Sequence, residues 1–311
     1  MLHGRYAIDQ SPLFKLKSKK KLAMLLGSSV KELQKLTASN DSYRVFDLPS
    51  EPLVHHPLFL KKSRKIQQLR PELEVVHRTL HKYLSRIAVP NYLHSAVKFK
   101  SYATNAKVHS GCIYLYRVDI RKFYESIRWK TVYRFFFKIL ECSTDVSTLL
   151  ANICCYEDKL PTGSCLSPIL SFLVNKEMYD ELFDYASQRS LIMTSYVDDI
   201  VFSGKEFRRS YAYSIRGIIN SYGYRCHKER ICWPRKTKIV TGLVVTKTGV
   251  AIPNKRMAKA RILLQELSKN MKKDRREKLC ASFNGMVSEM SQFDKVKSKF
   301  LMALGKKHCR R

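Results

Sequence analysis

Three aspartates occupy positions where their charge needs an explanation. Asp198 and Asp199 are adjacent between the apolar runs 191–195 and 200–203, and Asp119 ends a third apolar run. Neighbouring carboxylates raise each other's pKa unless a cation neutralises them, and a divalent ion that prefers oxygen ligands suits this role. Two Mg²⁺ ions about 3.5–4 Å apart could activate an attacking hydroxyl and stabilise the leaving oxygen of a phosphoryl displacement. For a single aspartate such as Asp119, a turn or cap role is the simpler alternative.

The strands that would position these carboxylates are visible in the pattern. The runs 191–195 and 200–203 are separated by four residues, which predicts a β-hairpin with Asp198 and Asp199 at its tip. The run 112–118 predicts a buried strand that ends at the third aspartate. If the strand and the hairpin share one sheet, the three carboxylates converge.

Helices are predicted on both sides of these strands. Apolar spacing favours a helix over 129–140 and a second one with Ser167 as N-cap, Pro168 as its first residue and apolar positions as far as Leu182. Beyond Pro253 the chain is rich in Lys and Arg, with one apolar stripe at helical spacing. We therefore expect basic helices at the C-terminal end.

The N-terminal third has a different pattern. Lysine clusters alternate with leucines from Leu13 to Leu36, which predicts a basic helical extension ahead of the main fold. Short extended pieces interrupted by prolines follow over 43–66, and Pro71 then opens a helix that runs to about Arg86. This part is predicted to be a small mixed α/β region.

The composition excludes several classes of protein. The 311 residues carry 58 Lys and Arg against 26 Asp and Glu, a formal charge of +32, so we expect a polyanion as partner. A hydrophobic fraction of 45% with 17 Tyr and 15 Phe excludes a disordered basic tail or a low-complexity condenser of nucleic acid. No signal-peptide pattern or membrane-length apolar run is present, which predicts a cytoplasmic protein without membrane contact.

The nine cysteines predict reduced, mostly structural thiols, because their number is odd and no CxxC pair occurs. A zinc site built from Cys226, His227 and Cys232 would need two adjacent ligands and a fourth ligand from elsewhere. That spacing is poor for a tetrahedral ion.

Three segments taken together resemble the palm motifs of reverse transcriptases. These are 119–124, which begins with Asp119, then 160–168 with the sequence LPTGSCLSP, and the Tyr-Val-Asp-Asp segment 196–199. The resemblance covers about 43–246. It implies an α+β right-hand polymerase fold with fingers, a palm with an antiparallel sheet and a helical thumb.

That fold divides the chain into predicted regions. The expected order is a basic helical N-terminal extension at 1–40, fingers at 41–110, a palm at 111–232 with a fingers-like helical part at about 128–160, and a basic thumb at 233–311.

Two further segments make the resemblance narrower. Residues 105–109 match the NAxxH element, and 240–242 match the VTG element, that mark bacterial retron reverse transcriptases. Either element alone would be a weak signal, since both compositions also suit a turn.

The resemblance implies roles for particular residues. The catalytic residues would be Asp119, Asp198 and Asp199, and the same three with the Ile120 carbonyl would hold two Mg²⁺ ions. The nucleotide-binding residues would be Lys62, Arg64, Tyr124, Gly163 and Ser164, with the Tyr124 ring excluding a 2′-OH. The RNA-binding residues would be Asn105, His109, Val240, Thr241 and Gly242.

The chain also departs from the family pattern. The family more often has Pro-Gln-Gly in this loop, and here Thr162 replaces the glutamine. Any contact that the glutamine amide would make is therefore in doubt. The region that usually carries Asn-x-x-Lys-Thr here has His227, Lys228, Glu229 and Arg230. Lys228 and Arg230 are both candidates for the general acid that protonates the leaving pyrophosphate, and an arginine, with its very high pKa, is the poorer acid.

The resemblance further implies substrates and partners. A retron reverse transcriptase copies its own structured non-coding RNA from an internal guanosine 2′-OH, uses deoxynucleoside triphosphates, and makes branched RNA-linked single-stranded DNA (msDNA). Retrons act in anti-phage defence with an effector, which here would be a separate protein. The alternatives are another group II intron-like or diversity-generating reverse transcriptase, and a catalytically silent RNA-binding protein on a polymerase scaffold.

Overall fold

The computed structural model describes residues 4–38, 40–48, 52–60 and 63–309. The helices are α1 (Lys19–Leu26), α2 (Val30–Ala38), α3 (Pro71–Leu84), α4 (Tyr102–Val108), α5 (Phe123–Ser126), α6 (Trp129–Arg134), α7 (Thr144–Cys154), α8 (Ser167–Leu173), α9 (Lys176–Ser187), α10 (Arg209–Ser221), α11 (Asn254–Leu267), α12 (Lys273–Ser291) and α13 (Lys295–Cys309). The strands are β1 (Tyr43–Leu48), β2 (Arg64–Leu69), β3 (Tyr114–Ile120), β4 (Ile192–Tyr196), β5 (Asp199–Gly204), β6 (Cys226–Cys232), β7 (Lys238–Val240), β8 (Leu243–Val245) and β9 (Val250–Ala251).

A four-stranded sheet, here called the central sheet, lies at the middle of the fold. Its strand order is β4-β5-β3-β6, and each neighbouring pair runs antiparallel. Along β3 the side chains alternate: Tyr116, Val118 and Ile120 are buried in the main core, whereas Arg117 and Asp119 are half-buried on the opposite face. The predicted buried strand and the predicted hairpin are therefore present in one mixed helix and sheet fold.

The N-terminal helices belong to the main core. Leu22 and Leu26 of α1 and Leu33 of α2 are fully or almost fully buried among the residues of that core, and Gly27 ends α1 in the left-handed conformation with a φ of 67°. The predicted helical pattern is therefore present, and its apolar residues pack into the main core.

Two helix predictions need correction. Leu166 is the N-cap of α8, and the Ser167 hydroxyl donates a hydrogen bond to the Pro161 carbonyl at 2.7 Å, so it closes the preceding loop instead of capping the helix. The helix also does not continue to Leu182, because Asn175 separates α8 from α9. The Asn175 side chain donates to the Ser171 carbonyl at 2.8 Å and accepts from the Tyr224 hydroxyl at 2.6 Å.

Two smaller differences concern the helix over 129–140 and the proline-rich segment. α6 ends at Arg134 and the chain continues as a π-helical turn over Phe135–Ile139. Residues Pro57–Phe59 form a 3-10 turn where an extended piece was expected.

The C-terminal helices α11, α12 and α13 form a bundle with its own hydrophobic core, built from residues such as Leu263, Phe283 and Leu301. The expectation of reduced thiols is wrong for one pair, since Cys280 on α12 and Cys309 on α13 form a disulfide with a Cα–Cα distance of 5.9 Å. The packing of the two helices joins cysteines that are 29 residues apart, which spacing alone does not indicate. In the part of the chain that the structure describes, no helix is both long and apolar enough to cross a membrane.

Candidate active site

The three predicted carboxylate residues meet at one end of the central sheet. Asp119 on β3 lies directly opposite Asp199 on β5 in the antiparallel register, so their side chains project from the same face. The backbone N–H of Ile120 donates to the Asp198 carbonyl at 3.0 Å, which fixes the β4–β5 turn beside the end of β3. We call Asp119, Asp198 and Asp199 the carboxylate cluster.

The charges of this cluster are poorly compensated. Burial, and then the charge of Asp119, raises the pKa of Asp198. Burial raises the pKa of Asp199 to about 7, although Arg117 opposes the shift. Arg117 Nε is 3.7 Å from Asp199 Oδ1, and that buried oxygen has no hydrogen-bond partner among the described residues. An additional positive charge at this place would relieve both carboxylates.

Cations approach the cluster from β6. Between β3 and β6 the register passes from Arg117 opposite Arg230 to Asp119 opposite His227, so β6 carries one extra residue. Lys228 takes up this bulge with a φ of 50°. Lys228 Nζ and His227 Nδ1 lie 3.8 and 3.6 Å from the two carboxylate oxygens of Asp119. The bulge thus aims two basic side chains at the carboxylate of β3.

Two of the predicted nucleotide-binding residues lie near the cluster. Tyr124 follows β3 on α5 and is half-buried, and burial followed by the charge of Asp198 raises the pKa of its hydroxyl. Arg64, exposed at the start of β2, has a charge that lowers the pKa of Asp198. Lys62 lies outside the described residues.

Gly163 lies in a loop that is attached closely to β2. A Cβ on Gly163 would stand 2.3 Å from the Gln67 carbonyl oxygen, so only glycine fits there. The Thr162 N–H and hydroxyl donate to Gln67 Oε1 at 3.0 and 2.8 Å. The backbone of this loop and the strand therefore form one unit.

Ser164 is held from the other side of the loop. The buried His77 ring on α3 donates through Nε2 to the Ile153 carbonyl at 2.8 Å, so Nδ1 accepts from the Ser164 hydroxyl at 2.7 Å. Burial lowers the pKa of His77 to about 4, which keeps the ring neutral. Ser164 is itself buried, so the structure places its hydroxyl on His77 and not in solvent.

The donor chemistry of the carboxylate cluster fits Mg²⁺, since the donors are carboxylate oxygens and one of them is buried without a hydrogen-bond partner. Ile120 is the last residue of β3 and directly follows Asp119, so its main chain lies beside the carboxylate cluster. Over the described ranges, no group of three or more His, Cys, Asp or Glu side chains already stands in a metal-holding arrangement. The alternative zinc ligands Cys226, His227 and Cys232 form no such group either.

The NAxxH element packs on the face of the central sheet that carries the carboxylate cluster, and its Asn105, Ala106 and His109 side chains are buried. His109 follows α4 and is fully buried, with Nδ1 2.7 Å from the Ser203 hydroxyl on β5 and Nε2 2.7 Å from the Thr194 hydroxyl on β4. Burial lowers the pKa of His109 to about 3. Asn105 is also fully buried, and neither amide atom has a hydrogen-bond partner among the described residues.

The VTG element forms the turn of the β7–β8 hairpin. Val240 is fully buried and pairs with Leu243, and the two residues between them, Thr241 and Gly242, have φ values of 43° and 83°. Positive φ at both positions is the signature of a tight type I′ hairpin turn. The Thr241 hydroxyl donates to the Tyr102 carbonyl at 2.6 Å, so the VTG turn contacts the first residue of α4, the helix that carries most of the NAxxH element.

Three residues of this site, Arg117, Gln67 and His77, were not among the predicted ones. Arg117 could have been found from strand alternation, because it lies two residues before Asp119 on the same face of β3. Gln67 and His77 gave no sequence signal, since their partners Thr162 and Ser164 are 95 and 87 residues away.

Comparison with known protein families identifies the family of the chain. The family profile described as "Reverse transcriptase (RNA-dependent DNA polymerase)" matches residues 17–243, and the chain belongs to this family.

Curated relatives narrow the comparison to bacterial retrons. The chain is 28% identical to the retron Ec86 reverse transcriptase of Escherichia coli over 67% of this chain and 66% of the relative. It is 28% identical to the retron Se72 reverse transcriptase of Salmonella heidelberg over 52% of this chain and 44% of the relative. For the retron Ec48 reverse transcriptase of Escherichia coli, the identity is 23% over 64% of this chain and 50% of the relative. The matches thus span between under half and about two thirds of these relatives, and they confirm the predicted resemblance to retron enzymes.

Proposed function

We propose that the chain is an RNA-directed DNA polymerase that needs two Mg²⁺ ions. The observation that carries this proposal is the carboxylate cluster, in which one aspartate each from β3, β5 and the β4–β5 turn share largely buried, incompletely compensated charge. A protein that only bound RNA would gain nothing from burying these carboxylates. In this proposal the sheet is a palm, the β1–β2 region is part of the fingers, and the region from 233 is a thumb.

The carboxylates and the Ile120 carbonyl would hold the ions. When bound, Mg²⁺ would lower the pKa of the attacking hydroxyl and stabilise charge on the phosphoryl oxygens. The turn hydrogen bond from Ile120 N–H to the Asp198 carbonyl keeps two of the carboxylates adjacent before any ion arrives. Asp199, opposite Asp119 and paired with Arg117, completes the negative charge of the cluster.

The nucleotide would lie between this cluster and β2. Tyr124 would contact the sugar and exclude a 2′-OH, and the influence of the Asp198 charge on the pKa of its hydroxyl supports a position near the cluster. Arg64 and Lys62 would bind the triphosphate through charge-assisted hydrogen bonds. Gly163 and Ser164 would contribute backbone surface, because the Ser164 hydroxyl is already bound to His77.

Between the two candidates for the general acid, the geometry favours Lys228. Its ammonium group lies 3.8 Å from Asp119 Oδ2, whereas Arg230 stands opposite Arg117, two residues farther from the end of β3. A lysine is also the better proton donor.

We further propose that the template is a structured non-coding RNA of retron type, primed from an internal guanosine 2′-OH to give msDNA, in anti-phage defence with a separate effector protein. The similarity to three retron enzymes supports this assignment. A cytoplasmic location follows from the same proposal. Asn105, His109 and Val240 are buried, so they would serve the RNA by shaping the surface around it, while Thr241 and Gly242 are partly exposed.

The test is to express the chain with the neighbouring non-coding DNA of its locus and to analyse total nucleic acid before and after RNase and debranching treatment. We expect a discrete single-stranded DNA that shifts on debranching and is absent with Asp198→Asn.

Two other outcomes would redirect the proposal. DNA made only on an added RNA template with an ordinary 3′-OH primer would support a reverse transcriptase of another lineage and contradict the retron assignment. Tight RNA binding without any DNA would favour the silent RNA-binding protein.

A further inference from the structure

We infer that Tyr102, Thr241, Gly242, Arg256 and Glu289 form a clasp that positions the C-terminal bundle α11–α13 relative to the central sheet. This inference rests on the proposed function, because its consequence concerns the nucleic-acid duplex that the bundle would hold. The clasp would determine how long the enzyme stays on its template, and it would leave the chemistry of each nucleotide addition unchanged.

The first contact of the clasp joins the β7–β8 turn to α4. Thr241 has a left-handed backbone, which is unfavourable for a β-branched residue, and its hydroxyl donates to the Tyr102 carbonyl at 2.6 Å. Gly242 follows with a φ of 83°, and a Cβ there would stand 3.1 Å from Arg256 Nη2. The turn is therefore shaped by α4 on one side and by the bundle on the other.

The second contact joins α4 to the bundle through one carboxylate oxygen. Glu289 Oε1 on α12 accepts from the Tyr102 hydroxyl at 2.6 Å and from Arg256 Nη1 on α11 at 2.9 Å. The Tyr102 ring also meets Phe293 edge-on, with ring centroids 6.2 Å apart. A single side chain thus links two bundle helices to the helix that lies on the central sheet.

The contact with Glu289 explains how the charge of Arg256 is tolerated at an unfavourable position. Arg256 lies in the first turn of α11, where a cation is disfavoured by the partial positive charge of a helix N-terminus. Glu289 compensates that charge, and the pair is partly shielded from solvent, with side-chain exposures of 22% for Arg256 and 36% for Glu289. Hydrogen bonds to charged groups are the stronger ones, so this connection is directional as well as attractive.

The clasp is attached rigidly at its other end. α4 begins at Tyr102 and is followed by His109, whose ring binds β4 and β5 through Thr194 and Ser203. Asp199 of the carboxylate cluster is the first residue of that same β5. A displacement of the bundle is therefore resisted by an anchor on the sheet that carries the cluster.

The bundle has a second contact elsewhere. Val54 is buried in the bundle core, and Phe59 packs against it. Loss of the clasp should consequently alter the position of the bundle without releasing it.

The test uses Glu289→Gln, which keeps the size and an acceptor oxygen but removes the charge, and Tyr102→Phe, which keeps the ring against Phe293 but removes the donor. Asp294→Asn is the matched control, since it removes the same charge from the same region, where Asp294 pairs with Lys297 at 2.9 Å near the surface. Each protein is assayed on a primed RNA template, first for addition of one nucleotide and then for product length in a single binding event with excess trap.

For Glu289→Gln and Tyr102→Phe we expect the probability of dissociation per nucleotide to rise about tenfold, as loss of a hydrogen bond to a charged group would allow. The rate of the first addition should stay within about twofold of the parent, and Asp294→Asn should match the parent in both assays. The effect of the double variant should be smaller than the product of the two single effects, because both changes weaken the same Tyr102–Glu289 contact.

Parental product lengths in both variants would overturn the inference, as would an equal loss of first addition and product length. Failure of the parent protein to add any nucleotide would contradict the proposed function and not the clasp, which a second measurement tests directly. Hydrogen exchange should become faster in the β7–β8 hairpin and at the first turn of α11 in both variants, but not in Asp294→Asn. Unchanged exchange at both places would overturn the clasp whatever the activity.

Discussion

The carboxylate cluster and the clasp are both polar groups set among buried residues, yet their charges are balanced differently. Asp199 Oδ1 is buried without a hydrogen bond in the described structure, and the pKa of Asp198 is raised. Glu289 Oε1, in contrast, accepts two hydrogen bonds from neighbouring elements. Uncompensated charge indicates a place that needs a ligand, whereas compensated charge indicates a place that holds the fold.

Backbone strain separates the two regions in the same way. Lys228 and Thr241 both have positive φ, at 50° and 43°. The strain at Lys228 belongs to a bulge that directs a cation to Asp119, while Thr241 is fixed by its hydrogen bond to Tyr102. Substitutions in the first region should therefore affect chemistry, and those in the second should affect stability or geometry.

The largest effect is expected from Asp198→Asn. Removing one carboxylate from the cluster takes away ligand charge, so nucleotide addition should fall by at least about 10³-fold. Stability without metal should be unchanged or higher, because Asp198 is a buried carboxylate with a raised pKa. RNA affinity, measured by filter binding, should stay within about twofold of the parent, since the basic surface is intact. Equal losses of RNA binding and synthesis would contradict this separation.

A smaller but still large effect on stability is expected from His109→Ala. The change would leave the Ser203 and Thr194 hydroxyls unpaired beside a cavity, and should lower the free energy of unfolding by about 3 kcal/mol in urea titrations. Lys107→Ala, on the exposed side of α4, is the control and should change it by less than about 0.5 kcal/mol. Full stability combined with lost RNA binding would instead make His109 a direct RNA ligand.

These contrasts also show what sequence can reveal. The hairpin that carries Asp198 and Asp199 was predictable because its signals are local: two apolar runs and the residues between them. Asp119 was predictable as a strand end, and its position opposite Asp199 required only that the two elements share a sheet. The role of His109 was not predictable, because its partners Ser203 and Thr194 are 94 and 85 residues away.

The same limit explains the errors. Ser167 has the residue type of an N-cap, yet the Pro161 carbonyl six residues earlier takes its hydroxyl. The Cys280–Cys309 bond depends on how α12 and α13 pack, which the cysteine spacing does not specify. Local propensity describes the elements, whereas long-range contacts decide which polar groups are used by the fold and which remain for chemistry.

Substitutions of two basic residues on β6 test which of them is the general acid. Lys228→Ala should lower the rate of nucleotide addition about 10²-fold, the lower end of general-acid contributions. Arg230→Ala is the matched control, since it removes an equal charge from the same strand and should cost no more than about threefold. Equal effects of the two substitutions in single-turnover assays would mean that the bulge contributes only general positive charge.

The smallest expected effect is a pH-dependent change in the free energy of unfolding, which distinguishes the carboxylate cluster from the clasp. The ordinary pKa of an aspartate is 3.8, and that of Asp199 is raised to about 7, so between these pH values the folded protein retains a proton that the unfolded chain has lost. Stability from this group is therefore greatest below pH 4 and decreases as the pH rises to 7. In metal-free buffer, Asp199→Asn should remove this decrease and be more stable than the parent by about 2 kcal/mol at pH 8, but not at pH 4.

His109 changes the stability with pH in the opposite direction. Its pKa is lowered to about 3, so the stability it gives is lost as the pH falls below about 6.5. The difference between Asp199→Asn and its parent cancels this background, since His109 is present in both proteins. Adding Mg²⁺ at pH 8 should then raise the melting temperature of the parent more than that of Asp199→Asn, because only the parent keeps the full charge of the carboxylate cluster. A pH-independent difference, or an equal response to Mg²⁺, would mean that Asp199 is compensated as fully as Glu289 in the clasp.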